Sequence, residues 1–365
     1  MKLTNQSYMK TNGQIKAVLC SSARAWRARL ILNGAAYADA FNLAEPYDLR
    51  THVFYIPENA FSEGDAVFCW SAFKNGRRET EKTVELRVEA FADEASLLEE
   101  YDHGLKITAA DPETVAPGLT YTKFTCADKE GLPVIVSLLE TDLKRTAFYV
   151  GTPEDGYAAK KVKATIPDMA AAAEANGKTV LAAGNADFFD IFGDGHPSGL
   201  CVKNGRVIAN ADSVRPFVGV KKDGAPVLTD LAESPDLLNE LEQAAAGLQM
   251  IVKDGRLYDW APLEPFSCVR HPRTAAGLTK DGRLLLLEAD GRIPAHSNGA
   301  TLVDLGLFMI SLGADRAINL DGGGSSAVYI KEGNDFQLKT VPADLFFPND
   351  KLIRKDFNSI LIVAK

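Results

Sequence analysis

Residues 275–292 read AAGLTKDGRLLLLEADGR, with apolar runs on both sides of Lys280, Asp281 and Gly282. An Asp-Gly turn between two apolar runs is typical of a β-hairpin. Downstream, Thr301 begins an apolar pattern of helical period that ends at Gly313, and the strand-like RAINL leads directly into a run of glycines. Hairpins interspersed with single helices favour an α+β fold over a doubly wound sheet. We therefore predict a mixed, largely antiparallel sheet with packed helices.

The chain upstream of this hairpin extends the same pattern. Proline at the start and glycine past the end predict a helix from Thr165 to Gly177, and the strand TVLAAGN then ends at Asn185. A second helix is predicted from Ser234 to Gly247. Further strands are predicted for YTKFTCA, LPVIVSLLE, TAFYVG, LQMIV and the C-terminal NSILIVA.

The first ninety residues differ in character. Short runs rich in β-branched and aromatic residues, such as RARLILNG, THVFYIP, DAVFCWSAF and KTVELRVEAF, alternate with turn residues. Evenly spaced short strands indicate a small all-β, sandwich-like domain. The acidic stretch 92–104 is typical of a short helix. We predict a β-rich accessory domain over residues 1–90, a helical linker over 91–104 and the α+β domain over 105–365.

The composition excludes several classes of protein. Of 365 residues, 46% are hydrophobic and 24% charged, as in a folded globular protein, and the formal net charge is −9. An acidic surface argues against nucleic acid or an anionic membrane as partner. No apolar run approaches the ~20 residues of a membrane span, and no secretory signal is visible. The expected location is therefore the cytoplasm by default, with secretion as the alternative.

Five cysteines lie at positions that form no CxxC pair, which argues against a zinc site. Cys20 and Cys69 lie on two predicted strands that could face each other across a sandwich. Buried thiols are the preferred interpretation, and a disulfide is the alternative.

The stretch NLDGGGSS, Asn319 to Ser326, is the strongest candidate for a functional site. Three successive glycines after a strand lose much backbone freedom on folding, so something must approach this backbone closely. Amide groups of Gly322, Gly323 and Gly324 could form an anion nest, and the hydroxyls of Ser325 and Ser326 could add donors. Asp321, at the strand end, could act as acid, base or metal ligand.

Three further segments carry candidate groups that are weak when taken alone. Arg273 opens a hairpin strand and could hold a phosphate, although a surface ion pair is the preferred explanation when the residue is taken alone. Asp290 follows the leucine run and could be a plain Asp-Gly turn. Asn185 ends a strand before a loop that contains His196 with Asp190 and Asp194. The two acids of that loop could bind a divalent cation, and His196 could donate a proton.

Together these motifs make the chain similar to the phosphodiester glycosidase family, over roughly residues 105–365. The family has an Asn-x-x-Phe-Phe segment, matched at Asn185, Phe188 and Phe189, and an Arg-Thr-Ala-x-Gly strand, matched from Arg273 to Gly277. An Asp-Gly pair, matched at Asp290, and the glycine-rich motif from Asn319 then follow in the same order. Many bacterial proteins carry this domain. Family members often have Gly where this chain has Asp187, so that residue receives no family role, and Arg292, His196, His271 and His296 are not reliable landmarks.

The resemblance implies hydrolysis of a sugar-1-phosphodiester to free sugar and a phosphomonoester, with a glycosyl phosphate or a polysaccharide as substrate. It implies Asp321 and Asp290 as an acid/base pair, Arg273 on the phosphate and Asn185 on a sugar or phosphate oxygen. The residues expected to bind substrate are Gly322, Gly323, Gly324, Ser325, Ser326, Thr274, Asn319 and His196. Two alternatives remain: a non-catalytic carbohydrate- or anion-binding protein, and a phosphodiesterase that cleaves P–O with a divalent cation. No cofactor is otherwise implied.

Overall fold

The computed structural model describes residues 104–159, 162–191, 194–210, 215–258, 267, 269–343 and 353–365 in full, and the backbone of strands before residue 87 and between 345 and 351. The chain divides into two compact units, Met1–Asp102 with Asp259–Cys268, and His103–Tyr258 with Val269–Lys365. Each is considered by itself. The stretch 92–103, predicted to be helical, lies outside the described residues.

The first unit contains short antiparallel strands, as its composition predicts. They are β1 (Leu3–Thr11), β2 (Gln14–Ser21), β3 (Ala25–Leu32), β4 (Ala35–Phe41), β5 (Thr51–Pro57), β6 (Ala66–Lys74), β7 (Arg77–Arg78) and β8 (Lys82–Leu86). Strands β1, β2 and β5 form one sheet, and β3, β4, β6, β7 and β8 form another. Cys20 and Cys69 therefore lie in different sheets, and their side chains are outside the described part of the chain.

The second unit contains the remaining strands and, among the described residues, two α-helices. The strands up to residue 257 are β9 (Lys106–Ala116), β10 (Leu119–Ala127), β11 (Pro133–Asp142), β12 (Thr146–Gly151), β13 (Val180–Asn185), β14 (Leu200–Lys203), β15 (Arg206–Asn210), β16 (Phe217–Lys221), β17 (Pro226–Thr229), β18 (Leu241–Ala246), β19 (Gln249–Lys253) and β20 (Arg256–Leu257). Those after it are β21 (Arg273–Thr279), β22 (Arg283–Ala289), β23 (Ala314–Leu320), β24 (Val328–Glu332), β25 (Asp335–Leu338), β26 (Leu345–Phe347), β27 (Asp350–Lys351) and β28 (Ser359–Ala364). The helices are α1 (Ile166–Ala175) and α2 (Leu302–Ser311).

Three antiparallel sheets make up most of this unit. The largest has the order β20-β19-β23-β21-β22-β11-β10-β9, and two five-stranded sheets have the orders β12-β28-β13-β24-β25 and β15-β14-β18-β16-β17. Every described strand pair is antiparallel, so the described sheets are antiparallel where a mixed sheet was predicted. The described residues contain fewer helices than the predicted α+β fold implied.

The two faces of the largest sheet bury different partners because successive side chains of a strand point to opposite faces. Leu286 and Leu320 belong to an apolar cluster shared with Ala182 of β13 and Ile360 of β28. Ala275 and Leu287 belong to a second cluster that includes Leu302, Leu305, Phe308 and Met309 of α2. Residues of β21 to β23 that lie on the first face therefore point toward β13, where Asn185 ends its strand.

The helix limits follow from capping residues. The Thr165 hydroxyl accepts a hydrogen bond from the Asp168 amide, and Gly177 follows α1 with φ +85°. Thr301 and Asp304 form a reciprocal capping box at the start of α2. Both helices begin where the sequence predicts.

The predicted helix from Ser234 to Gly247 is wrong. Residues Pro235–Asn239 form a 3₁₀ turn, and Leu241–Ala246 is the strand β18 between β14 and β16. Ala244, Ala245 and Ala246 are completely buried there. Alanine favours helix in isolation, but strand pairing and close packing on both sides override that preference.

Candidate active site

Asp321 lies directly after β23, and the glycine-rich loop folds back around its carboxylate. One carboxylate oxygen accepts a hydrogen bond from the Gly322 amide (2.9 Å) and the other accepts one from the Ser325 hydroxyl (2.6 Å). The Asp321 amide donates to the Ala186 carbonyl (2.9 Å), which ties the loop to the end of β13. The carboxylate is thus held in one orientation, with 6% of the residue exposed.

The glycines of this loop allow close packing of other groups. A side chain on Gly322 would place its Cβ 2.8 Å from the Pro272 carbonyl oxygen, and one on Gly323, whose φ is +64°, would lie 3.0 Å from Arg292 Nη2. A side chain at Gly322 would thus meet backbone, and one at Gly323 would be strained and would crowd a guanidinium. The amides of Gly322, Gly323, Ser325 and Ser326 all donate within the protein. Two of the three amides that the sequence assigns to an anion nest, those of Gly322 and Gly323, are therefore already engaged within the protein.

Asn185 has a structural position at the centre of this site. Its side-chain oxygen accepts hydrogen bonds from the Thr274 hydroxyl (2.8 Å) and the Ala327 amide (3.2 Å), and its amide nitrogen donates to the Asp321 carbonyl (2.6 Å). The residue is fully buried. Asn185 therefore joins β21, the start of the glycine-rich loop and its end, and it fixes the backbone of Asp321.

Thr274 and Ser326 lie beside Asn185, with their hydroxyl oxygens 3.3 Å apart. Thr274 pairs with Glu288 of β22 on one side and with Leu320 of β23 on the other. The pairing with Glu288 places a second polar side chain next to Thr274 on the same face of the largest sheet.

Asp290 is buried at the end of β22, and both carboxyl oxygens have partners. One accepts a hydrogen bond from the Val341 amide (2.8 Å), and the other lies 2.7 Å from His296 Nε2. Burial raises the pKa of Asp290, although the Val341 amide and His296 oppose this effect. The predicted acid is therefore present, but its carboxyl contacts an imidazole that sequence reasoning set aside.

Glu288 was missed by sequence reasoning. It is 1% exposed, and neither carboxyl oxygen has a hydrogen-bond partner. Burial raises its pKa well above the ordinary value, and the charge of Asp290 raises it further. An acid within a run of leucines was the signal in the sequence, because such a residue on a central strand must be buried.

Asp187 has the same character on the other side of Asn185. It is fully enclosed, and neither carboxyl oxygen makes a hydrogen bond of good geometry. Burial raises the pKa of Asp187 well above its usual range; Arg215 opposes this and Asp321 adds to it. Asp187 therefore lies close enough to Asp321 for the two carboxyl groups to repel each other.

Arg273 lies on the other face of the sheet from Thr274. Its guanidinium donates to the carbonyls of Val269 (2.9 Å) and Ala300 (3.4 Å), near the start of α2. The cations that contact the glycine-rich loop are instead Arg292, beside Gly323, and Arg354, whose Nη1 lies 3.4 Å from the Ser325 hydroxyl. Arg292 has a φ of +63°, which is uncommon for a residue with a side chain.

The two remaining predicted residues make their hydrogen bonds with groups other than Asp321. Asn319 is buried and donates to Gln249 (3.2 Å); it alternates with Ile318 and Leu320 and so lies on the face of α2. His196 has its amide bonded to Asp194 (3.0 Å) and its carbonyl to the Asp190 amide, within its own loop. Among the described residues, no group of three or more His, Cys, Asp or Glu side chains is arranged to hold a metal ion.

The described helices include none that is long and apolar enough to span a membrane.

Comparison with known proteins gives a match to one family model. The family model described as phosphodiester glycosidase matches residues 178–362, about half of the 365-residue chain. That range contains Asn185, Asp290 and Asp321.

Two mammalian proteins that share one name are similar to this chain. N-acetylglucosamine-1-phosphodiester alpha-N-acetylglucosaminidase of Mus musculus is 28% identical over 205 residues, which cover 52% of this chain and 37% of the mouse protein. The Homo sapiens protein is 27% identical over 205 residues, covering 52% of this chain and 38% of that protein. The matched region thus spans little more than a third of these relatives.

One solved structure has a related fold. The zebrafish N-acetylglucosamine-1-phosphodiester alpha-N-acetylglucosaminidase catalytic domain, auto-inhibited by its pro-peptide, aligns with a TM-score of 0.58 and 23% identity. The alignment covers 72% of this chain and 89% of that chain. At this identity the likeness establishes the fold.

Proposed function

The chain belongs to the phosphodiester glycosidase family, and from that premise we propose that it hydrolyses a sugar-1-phosphodiester to free sugar and a phosphomonoester. The observation that carries the proposal is the pairing of a fixed carboxylate with two guanidinium groups around one loop. Asp321 is held by Gly322 and Ser325, while Arg292 and Arg354 contact the same loop. A carboxylate beside cations suits a substrate whose reacting carbon is bonded to a phosphate oxygen.

The guanidinium groups would bind the phosphodiester. Arg292 is largely exposed and Arg354 is half-buried, so both can reach a ligand in solvent. Arginine presents several N–H donors in one plane, which matches phosphate oxygens better than a lysine does. These two residues take the role that the sequence assigns to Arg273, whose described contacts are on the opposite face of the sheet.

The two aspartates differ in a way that divides their roles. Asp321 has both oxygens bound by neutral donors and can receive a proton from water or stabilise positive charge on the sugar. Asp290 retains its proton more readily than an exposed aspartate does, since burial raises its pKa. We assign to Asp321 the role of base or charge stabiliser, and we place the proton donor at Asp290 or at a group in contact with it.

The name of the mouse and human relatives suggests the first substrate to test. We expect methyl N-acetylglucosamine-1-phosphate to be converted to N-acetylglucosamine and methyl phosphate. In ¹⁸O-labelled water the label should enter the sugar, since the glycosidic C–O bond breaks. Label in the phosphate would assign P–O cleavage, and loss of turnover in a chelator would favour the metal-dependent alternative. No turnover with any of a panel of glycosyl phosphodiesters, together with measurable binding, would favour a binding protein.

A further inference from the structure

His296 forms a dyad with Asp290 that places the imidazole between a buried carboxyl group and solvent. Nε2 of His296 lies 2.7 Å from the Asp290 carboxyl oxygen, and the two side chains are 33% and 3% exposed. The second carboxyl oxygen is already bonded to the Val341 amide at 2.8 Å. Each oxygen of the Asp290 carboxyl therefore has a partner within the protein, and the more exposed imidazole is the part of the dyad that a ligand can reach.

A tight turn fixes the backbone that carries this imidazole. The amides of His296 and Ser297 both donate to the Ile293 carbonyl at 2.7 Å. The Ser297 hydroxyl donates to the Asp290 carbonyl (2.5 Å) and accepts from the Ile135 amide (3.1 Å). The turn is thus anchored to both β22 and β11, and this anchoring holds the backbone of His296 where its ring can reach Asp290.

The same turn reaches the glycine-rich loop. Arg292, two residues after Asp290, places its guanidinium beside Gly323, next to the Asp321 loop. Val341, which binds the other oxygen of Asp290, follows Thr340, whose hydroxyl accepts from the Val328 amide (3.3 Å) just after that loop. The dyad and Asp321 therefore belong to one continuous set of contacts.

We propose that His296 is the residue that delivers the proton to the departing phosphate oxygen, and that Asp290 is a positioning residue that orients its ring. The inference rests on the proposed function. The bond between the sugar carbon and the phosphate oxygen breaks, and the oxygen keeps the electron pair and takes a proton from the imidazolium. A water molecule bonds to the sugar carbon and gives a proton to Asp321. That proton returns through solvent to His296, so the net change is the addition of one water.

The division of labour has a physical reason. A carboxyl that bonds Nε2 leaves Nδ1 as the ring nitrogen that exchanges protons with a ligand. A buried Asp that contacts no ligand can raise the fraction of correctly oriented imidazole without touching the reacting atoms. Asp290 would then affect the rate only through His296.

The test combines two variants with chemical rescue. We expect His296→Ala to lower kcat by roughly 10²-fold with little change in KM, and added imidazole to restore at least part of the loss. Imidazole should not restore Asp321→Asn, which is the matched control. Asp290→Asn should also lower kcat, and the double variant should be no slower than His296→Ala, because residues that act as a unit are not additive. His296→Ala within threefold of wild type, or additive losses, would overturn the proposal.

A second measurement does not depend on turnover. In ¹H–¹⁵N spectra of the wild-type chain, we expect the His296 ring to carry its proton on Nε2, and this preference should disappear in Asp290→Asn. If the wild type hydrolyses no glycosyl phosphodiester, the proposed function fails, whatever the spectra show. If it does, and the ring has no preferred tautomer or imidazole has no effect, only the dyad fails.

Discussion

Two buried polar regions of the second unit differ in whether their groups are satisfied. Far from Asp321 in sequence, Lys203 is completely buried, with its ammonium 2.6 Å from Asp155, 2.5 Å from the Val150 carbonyl and 4.1 Å above the Tyr149 ring. Asp155 also accepts from the Tyr149 hydroxyl (3.1 Å). In the candidate active site, by contrast, Asp187 and Glu288 are buried carboxyls without well-formed hydrogen bonds.

The contrast distinguishes polar groups that stabilise the fold from polar groups that lower its stability. Buried charges that are paired and hydrogen-bonded hold a structure in one state, whereas unpartnered buried groups cost stability. A fold retains such groups where a function needs them. We therefore expect changes in the Lys203 cluster to affect stability alone, and changes around Asp321 to affect chemistry first.

The largest expected effect is on turnover. Asp321→Asn keeps the shape and removes the charge, so kcat should fall by ~10²–10⁴-fold while the melting temperature changes little. Asp223→Asn, an exposed aspartate in the turn after β16, is the matched control and should leave kcat unchanged. Near-wild-type kcat in a folded Asp321→Asn would show that this aspartate is structural. The region around Asp321 would then no longer differ from the Lys203 cluster in its role.

The next effect is on stability alone. Lys203→Met leaves Asp155 buried without its main partner, and we expect a loss of about 3–5 kcal/mol in the free energy of unfolding, read from urea denaturation. The kcat of the remaining folded enzyme should be unchanged. Lys178→Met is the control: its ammonium lies 4.9 Å from the same Tyr149 ring but is exposed, so its removal should have little effect. A strong loss of kcat in Lys203→Met would place this cluster within the site.

Glu288 should make stability depend on pH in a direction that its burial sets. Its pKa is raised in the folded protein, so near pH 3 both states are protonated and no penalty exists. Above the pKa of the unfolded chain, unfolding releases a proton, and stability falls by about 1.4 kcal/mol per pH unit until the folded pKa is reached. Glu288→Gln should match wild type near pH 3 and be increasingly more stable toward neutral pH. Parallel stability curves would show that Glu288 is partnered in solution.

Sequence reasoning found the hairpin of β21 and β22, the start of α2 and the glycine-rich loop after β23 because these depend on local residues. Apolar runs around Lys280–Gly282, the cap at Thr301 and the glycines after β23 act within a few positions. The failure at Leu241–Ala246 has the opposite cause, since only neighbouring strands make that alanine run a strand.

At the site, the sequence did not show toward which face of the sheet each side chain points. Arg273 and Thr274 are adjacent, but only Thr274 points toward Asn185, because a one-residue step moves a side chain to the other face. Arg292 and Arg354 reach the loop through tertiary contacts between segments far apart in sequence. Such contacts leave no periodic pattern, so reading the sequence for periodicity does not find them.

The smallest expected effect distinguishes backbone strain from contact with the site. Gly313 and Gly323 both have positive φ, +87° and +64°, so alanine should cost each variant a similar amount, about 1 kcal/mol of unfolding free energy. A Cβ at Gly313 meets no atom within 4 Å, whereas one at Gly323 lies 3.0 Å from Arg292 Nη2. Gly323→Ala must therefore displace the guanidinium that we assign to the phosphate. We expect its KM to rise roughly tenfold, the loss of about one charge-assisted hydrogen bond, while Gly313→Ala keeps the wild-type KM. Equal KM values in both variants would mean that Arg292 does not bind the substrate, and the phosphate would then have to be assigned to Arg354.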